Sequence, residues 1–170
     1  DRLTQATRNY RLAQENPAQL TVLPETALPA FLDNVPREYL DEMRKLAERE
    51  RGDLIFGIVV GNNENYANGA VSVGTSPEQQ YRKSHLVPFG EFIPPGFSWF
   101  LKLANIPMAS FSPGRSPQTP MSLVGQQVAV NICYEDAFGE EIIRSLPTAT
   151  LLVNISNVAW FGDSLRSEER

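Results

Sequence analysis

The sequence predicts an α/β protein, and three observations carry that reading. Apolar runs of strand length recur along the chain, segments of helical periodicity lie between several of them, and most runs stop at Pro, Gly or Asn. The opening stretch, to about Ala13, reads as the end of a helix. Residues 19–23 then read as a short strand stopped by Pro24, which has no N–H to give a ladder, so Glu25 sits just past a strand end. Asp33 and Asn34 read as a cap leading through Pro36 into a helix whose Tyr39, Met43, Leu46 and Ala47 recur at helical spacing, with Gly52 ending it.

Residues 54–60 form a continuous apolar run, the mark of a buried strand, and residues 68–73 follow as another strand after an Asn-rich turn. The turn at Ser76-Pro77 sends residues 80–83 back as a hairpin strand with Lys83 at its end. Residues 84–120 differ in kind: Pro88, Phe89, Pro94, Pro95, Phe97, Trp99, Phe100, Phe111 and Pro113 make a long Pro-rich aromatic loop, and such loops in compact domains are usually functional. Residues 122–124, a Gly125-Gln126 turn and residues 128–132 restore strand character, and the last strand hands over directly to Cys133. A short helix over 137–146, a strand over 151–155 and a loop over 156–162 complete the pattern.

Composition bounds the function. With 42% hydrophobic and 21% charged residues in 170, the chain is globular, one domain or part of one. A net charge of -5 without a dense Lys/Arg run excludes nucleic acid as the expected partner. One cysteine excludes an intrachain disulfide, and one histidine beside it falls short of a zinc cluster, so no metal and no cofactor are implied. No apolar stretch approaches the roughly 20 residues that span a bilayer. The chain opens at Asp1 with neither a Met nor a signal-peptide pattern, and reads as a segment of something longer.

Cys133 is the nucleophile candidate, because it follows a buried strand at the mouth of a sheet. Taken alone, a strand-end cysteine is more often an inert core thiol. Its company changes that reading. A reactive cysteine needs a base for its proton and a cation for the negative charge that develops, and Glu25 and Lys83 each end a predicted strand. If the three strands are neighbours, their ends bring a carboxylate, an ammonium and a thiol into one pocket, with Glu25 as general base and Lys83 stabilising an oxyanion. Ser72 lacks the G-x-S-x-G turn of a serine hydrolase, and His85, the single histidine, is as readily a loop hydrogen-bonding residue as a partner for Cys133.

Three motifs surround these residues: Leu23-Pro24-Glu25-Thr26-Ala27, the run from Tyr81 through Lys83, His85 and Pro88 to Glu91, and Asn131-Ile132-Cys133-Tyr134-Glu135. Their Glu, Lys, Cys order resembles the nitrilase superfamily. The Pro-Glu-Thr-Ala-Leu-Pro run, the Val-Pro-Phe-Gly-Glu-Phe-Ile-Pro run and Ala159-Trp160-Phe161-Gly162-Asp163 resemble its bacterial apolipoprotein N-acyltransferase branch over about residues 10 to 164. The resemblance implies a nitrilase-like α-β-β-α sandwich, incomplete at both ends, carried by a membrane domain outside this segment. It implies Glu25, Lys83 and Cys133 as the catalytic trio, Glu91 as a further acid that orients Lys83, and Tyr134 and Glu135 as supporting residues.

It also implies the partners: a phospholipid acyl donor, a lipid-modified apolipoprotein acceptor and the membrane surface, on the periplasmic side of a bacterial inner membrane. The aromatic loop then suits contact with acyl chains. Val158 departs from the branch, which usually has Asp there, and residues 165–170 depart from the helix expected. Two other readings stand beside this one, a soluble amidase that uses the same trio with water, and a truncated domain without activity. Upstream apolar segments of about 20 residues would separate the acyltransferase from the amidase.

Overall fold

The computed structural model describes residues 2–62, 64–88, 91–92 and 111–157. Its centre is the pairing of β3 (Asp53–Gly61) with β4 (Tyr66–Gly74), antiparallel in unbroken register from Asp53 opposite Gly74 to Gly61 opposite Tyr66. Beta-branched Ile58, Val59, Val60, Val71 and Val73 favour this extended pair. Strand β5 (Gln79–Arg82) folds back antiparallel on β4, and β1 (Leu20–Val22) and β2 (Leu28–Phe31) run one after the other along the far edge of β3, both parallel to it. The second sheet places β7 (Gln126–Ile132) between antiparallel β6 (Met121–Leu123) and parallel β8 (Leu151–Ile155).

Alternation along β3 builds two cores. Leu54, Phe56, Ile58 and Val60 face helices α1 (Arg2–Glu15) and α2 (Arg37–Arg49), where they meet Ala13, Met43 and Ala47. Ile55 faces the other way, with Ala70, against Met121, Leu123, Val128, Val130, Ile132 and Ile155 of the second sheet. The described residues thus form helix, sheet and sheet layers. Each fully buried large apolar side chain contributes about 1.5 to 3 kcal/mol. Asp53, 1% exposed, ties the two sheets together: it accepts bonds from the Ser76 N–H (2.8 Å) and hydroxyl (2.6 Å) and from the Val124 N–H (2.9 Å).

Three elements differ from the sequence expectation. Strand β2 was not foreseen, since Pro29 argues against a strand; here the strand lies on an edge, where a missing N–H costs least. Asp33 and Asn34 belong to a tight turn, Leu32–Asn34, and Pro36 caps α2 without a side-chain bond. The helix expected over 137–146 is broken into a turn Cys133–Ala137, a one-turn α3 (Gly139–Ile142) and a turn Ile143–Ser145. Phe138, at φ -102° and ψ 60°, leaves helical geometry between the first two.

Candidate active site

Glu25 lies in the excursion between β1 and β2. That excursion crosses β3 at Gly57, whose N–H donates to the Pro24 carbonyl at 3.2 Å. A Cβ on Gly57 would stand 2.6 Å from the Glu25 Cα and from the Thr26 nitrogen, so only glycine admits so close a backbone crossing. Thr26 takes a left-handed φ of 55° to complete the turn. The Glu25 side chain is thereby driven into the molecule, where it is 6% exposed. Its Oε2 accepts the backbone N–H of Asn157, beyond β8, at 3.0 Å, and its Oε1 accepts Nδ2 of Asn68 at 2.7 Å.

Lys83 follows β5 directly and is 1% exposed. A buried ammonium needs counter-charge, and it has two: Glu91 Oε2 at 2.9 Å and Glu25 Oε1 at 3.7 Å. Glu91 is fixed in turn by the Val87 N–H at 2.8 Å and by the same Asn68 amide at 3.0 Å. Asn68 thus uses both side-chain amide protons on two carboxylates, while its backbone carbonyl accepts the Lys83 backbone N–H at 2.8 Å. Sequence reasoning missed Asn68. A signal was present: it shares the strand parity of Ala70, which faces the core between the sheets, and a polar residue at an inward position is informative.

Cys133 begins the turn after β7 with φ at 53°, a conformation that a residue with a Cβ rarely adopts, and one that turns the chain sharply away from the strand. Its half-buried thiol lies close enough to the Glu25 carboxylate and the Lys83 ammonium for both charges to act on it. Burial pushes the thiol up from its ordinary range and the charge of Glu25 pushes the same way; Lys83 and the Tyr134 N–H oppose them and lose. Cys133 therefore rests as a neutral thiol beside a carboxylate able to take its proton.

Glu25, Lys83 and Cys133 do converge, but not as the ends of neighbouring strands. In the first sheet β3 and β4 stand between β1 and β5, and Cys133 comes from the second sheet. The meeting happens across the sandwich, with Asn68 of β4 spanning the gap between Glu25 and Glu91.

Glu135, 4% exposed, locks the Lys83 segment onto the cysteine turn. It accepts the N–H groups of Ile132 (2.7 Å), Ser84 (2.6 Å) and His85 (3.2 Å), with the Ser84 hydroxyl and the Tyr81 phenol both at 2.9 Å. Burial first, and then the charge of Glu135, hold the Tyr81 phenol far above its usual range, so it stays a donor. The Tyr134 side chain points outward, 42% exposed, edge-on to Phe138 at 5.2 Å. His85 stacks on Phe138 at 4.0 Å with Nε2 2.7 Å from the Glu141 carboxylate, and so serves the loop rather than Cys133. Ser72 is 1% exposed and accepts the Gln79 N–H at 3.1 Å, a hairpin bond. Among the described residues no His, Cys, Asp or Glu group is arranged to hold a metal ion. Val158, the 159–163 motif and the loop residues Phe89, Pro94, Pro95, Phe97, Trp99 and Phe100 lie outside the described residues.

Comparison with known proteins accords with this fold. The carbon-nitrogen hydrolase family model matches residues 2–170. The apolipoprotein N-acyltransferase of Nitrosomonas europaea is 52% identical over 158 residues, covering 91% of this chain and 32% of that protein. The protein of the same name from Chromobacterium violaceum is 45% identical over 159 residues, covering 91% of the chain and 31% of that protein. The chain therefore spans about a third of the length of the curated relatives it matches. Among solved structures, a CN-hydrolase superfamily protein from Xanthomonas campestris shares the fold with a TM-score of 0.65 at 16% identity, over 94% of this chain and 63% of that one. An amidase of the nitrilase superfamily from Nesterenkonia does so with a TM-score of 0.64 at 19% identity, over 92% and 60%.

Proposed function

The chain belongs to the carbon-nitrogen hydrolase family, and from that premise we propose that it is a partial nitrilase-like domain forming the catalytic part of an apolipoprotein N-acyltransferase. The observation that carries the reading is the convergence of Cys133, Glu25 and Lys83 in one cluster, with Lys83 held 3.7 Å from the Glu25 carboxylate and both charges acting on the thiol. The relatives at 52% and 45% identity, both named for that activity, supply the substrate class.

In this reading Glu25 takes the thiol proton as Sγ attacks the ester carbonyl of a phospholipid. The Lys83 ammonium meets the oxyanion that forms, where an aimed charge in a dry site is worth most. Collapse breaks the ester C–O bond, the lysophospholipid leaves with the proton from Glu25, and the acyl group remains on Cys133 as a thioester. The N-terminal amine of a diacylglyceryl-cysteine lipoprotein then attacks the thioester, gives its proton to Glu25, and the sulfur leaves and is reprotonated. Glu91 and Asn68 keep Lys83 and Glu25 in place throughout, and Glu135 and the Tyr134 N–H keep the cysteine turn in place.

Such substrates put the work at a membrane surface, in this reading the periplasmic face of a bacterial inner membrane. Among the described residues no helix is long and apolar enough to cross a membrane. The test is to incubate the full-length protein with phospholipid and read the mass of the peptide containing Cys133, then add an apolipoprotein acceptor. An acyl adduct that moves to the acceptor amine is the expected result. Release of free fatty acid without amide formation, or no adduct, overturns the proposal.

A further inference from the structure

A groove of about 790 Å3 runs beside β5, between that strand and residues 112–121, within the roughly 300 to 1,000 Å3 typical of small-molecule sites. It is built rather than incidental. Gln118 binds both backbone groups of Arg82, accepting its N–H at 3.0 Å and donating to its carbonyl at 2.6 Å. The Gly114 N–H donates to the Lys83 carbonyl and the Ser112 N–H to the Tyr66 carbonyl, each at 2.8 Å. A Cβ on Gly114 would stand 2.3 Å from the Arg82 carbonyl oxygen, so glycine lets this segment lie flat along the strand.

The charge of the groove is unlike that of the chain. The sequence carries 20 acidic and 15 basic residues, yet among the described residues the charged residues lining the groove are Arg82 and Arg115, with no Asp or Glu in its lining. Gln79, Gln80, Ser112 and Thr119 supply neutral polar groups. Neither guanidinium has an ion pair or a side-chain hydrogen bond among the described residues. Two guanidinium forks without carboxylates, in a concavity lined by amides and hydroxyls, match a phosphate oxyanion. The groove also shares a backbone with the candidate active site: Arg82 lines it, while Lys83, the next residue, is buried against Glu25 and Glu91.

We propose that this groove binds a phosphate-bearing group through Arg82 and Arg115, and that its occupant during turnover is the phosphodiester head of the acyl donor. The second half rests on the acyltransferase reading above. The site would favour donors by their charge and leave the acyl chain unread.

The experiment compares the full-length enzyme with its Arg82→Gln/Arg115→Gln and Arg82→Lys/Arg115→Lys variants on two acyl donors, phosphatidylglycerol in detergent micelles and a phosphate-free 4-nitrophenyl ester. In the glutamine variant the ratio of kcat/KM for phosphatidylglycerol to that for the ester should fall about tenfold or more, carried by KM, and the lysine variant should recover part of it because charge returns without the fork. An unchanged ratio, including an equal loss on both donors, overturns the proposal. Inorganic phosphate, titrated by calorimetry, separates the sources. Binding by wild type that the glutamine variant loses shows a general phosphate site; no phosphate binding with a shifted donor ratio shows that the lipid head is required. If wild type transfers nothing from phosphatidylglycerol, the acyltransferase reading fails by itself, and phosphate binding lost in the glutamine variant still supports the groove, while its absence overturns both.

Discussion

Gly57→Ala is the sharpest probe of how this site is assembled, because the residue touches no reacting atom. Its Cβ would lie 2.6 Å from the Glu25 Cα and the Thr26 nitrogen and 2.7 Å from the Pro24 oxygen. All three are backbone atoms, so no side chain can swing away, and the contact falls about 0.8 Å short of the 3.4 Å at which ordinary packing begins. The excursion carrying Glu25 must rise from β3 by about that much. The Asn68 bond at 2.7 Å and the Asn157 bond at 3.0 Å, which aim the carboxylate, stretch with it. A misplacement of about 1 Å costs about a hundredfold in rate, or about 2.7 kcal/mol of barrier. In the full-length protein, pre-steady-state acylation of Cys133 followed by mass spectrometry should slow by about that factor, while the circular-dichroism melt stays cooperative. Acylation at the wild-type rate would refute the claim that the glycine crossing sets the position of Glu25.

Three further outcomes follow from the same geometry. Glu25→Gln should move the pH profile of Cys133 alkylation by iodoacetamide to lower pH, since the carboxylate's charge is one of the forces holding the thiol up, even as acyl transfer slows by orders of magnitude; a profile that stays put or moves upward counts against the contact. Lys83→Met leaves Glu25 and Glu91 joined through Asn68 with no cation between them, so one of the two should take up a proton, seen as a new carboxylic-acid band in difference infrared spectra, with acylation lost; retained acylation would remove Lys83 from the chemistry. Glu135→Ala strands the N–H groups of Ile132, Ser84 and His85 and the Tyr81 phenol. At about 1 to 3 kcal/mol per unpaired buried group, partly relieved by entering water, urea denaturation should report a loss of about 3 to 5 kcal/mol; a loss under about 1 kcal/mol would mean that Glu135 is not the lock described.

The strands over 54–60, 68–73, 128–132 and 151–155 were legible because hydrophobic pattern and β-branched residues are local properties, and burial in a sheet demands both. Glu25, Lys83 and Cys133 could be singled out for a related reason: each stands where an apolar run stops, and their order carries the family resemblance. Local pattern does not say which strands pair, so the meeting of those ends rested on the condition that the strands are neighbours, whereas two of them are separated by β3 and β4 and the third belongs to the other sheet. Strand β2 was hidden because Pro29 is forbidden in a central strand and permitted on an edge, and edge or centre is decided by the partners. The roles of Asn68 and Gly57 were hidden for the same reason: one spans two carboxylates from distant segments, and the other leaves room for a backbone crossing that exists only once β1 and β2 have docked on β3. The sequence by itself determined which side chains could do chemistry. The distance between them, and hence the neutral thiol beside a carboxylate, was decided by the packing of two sheets, a long-range event that no window of residues contains.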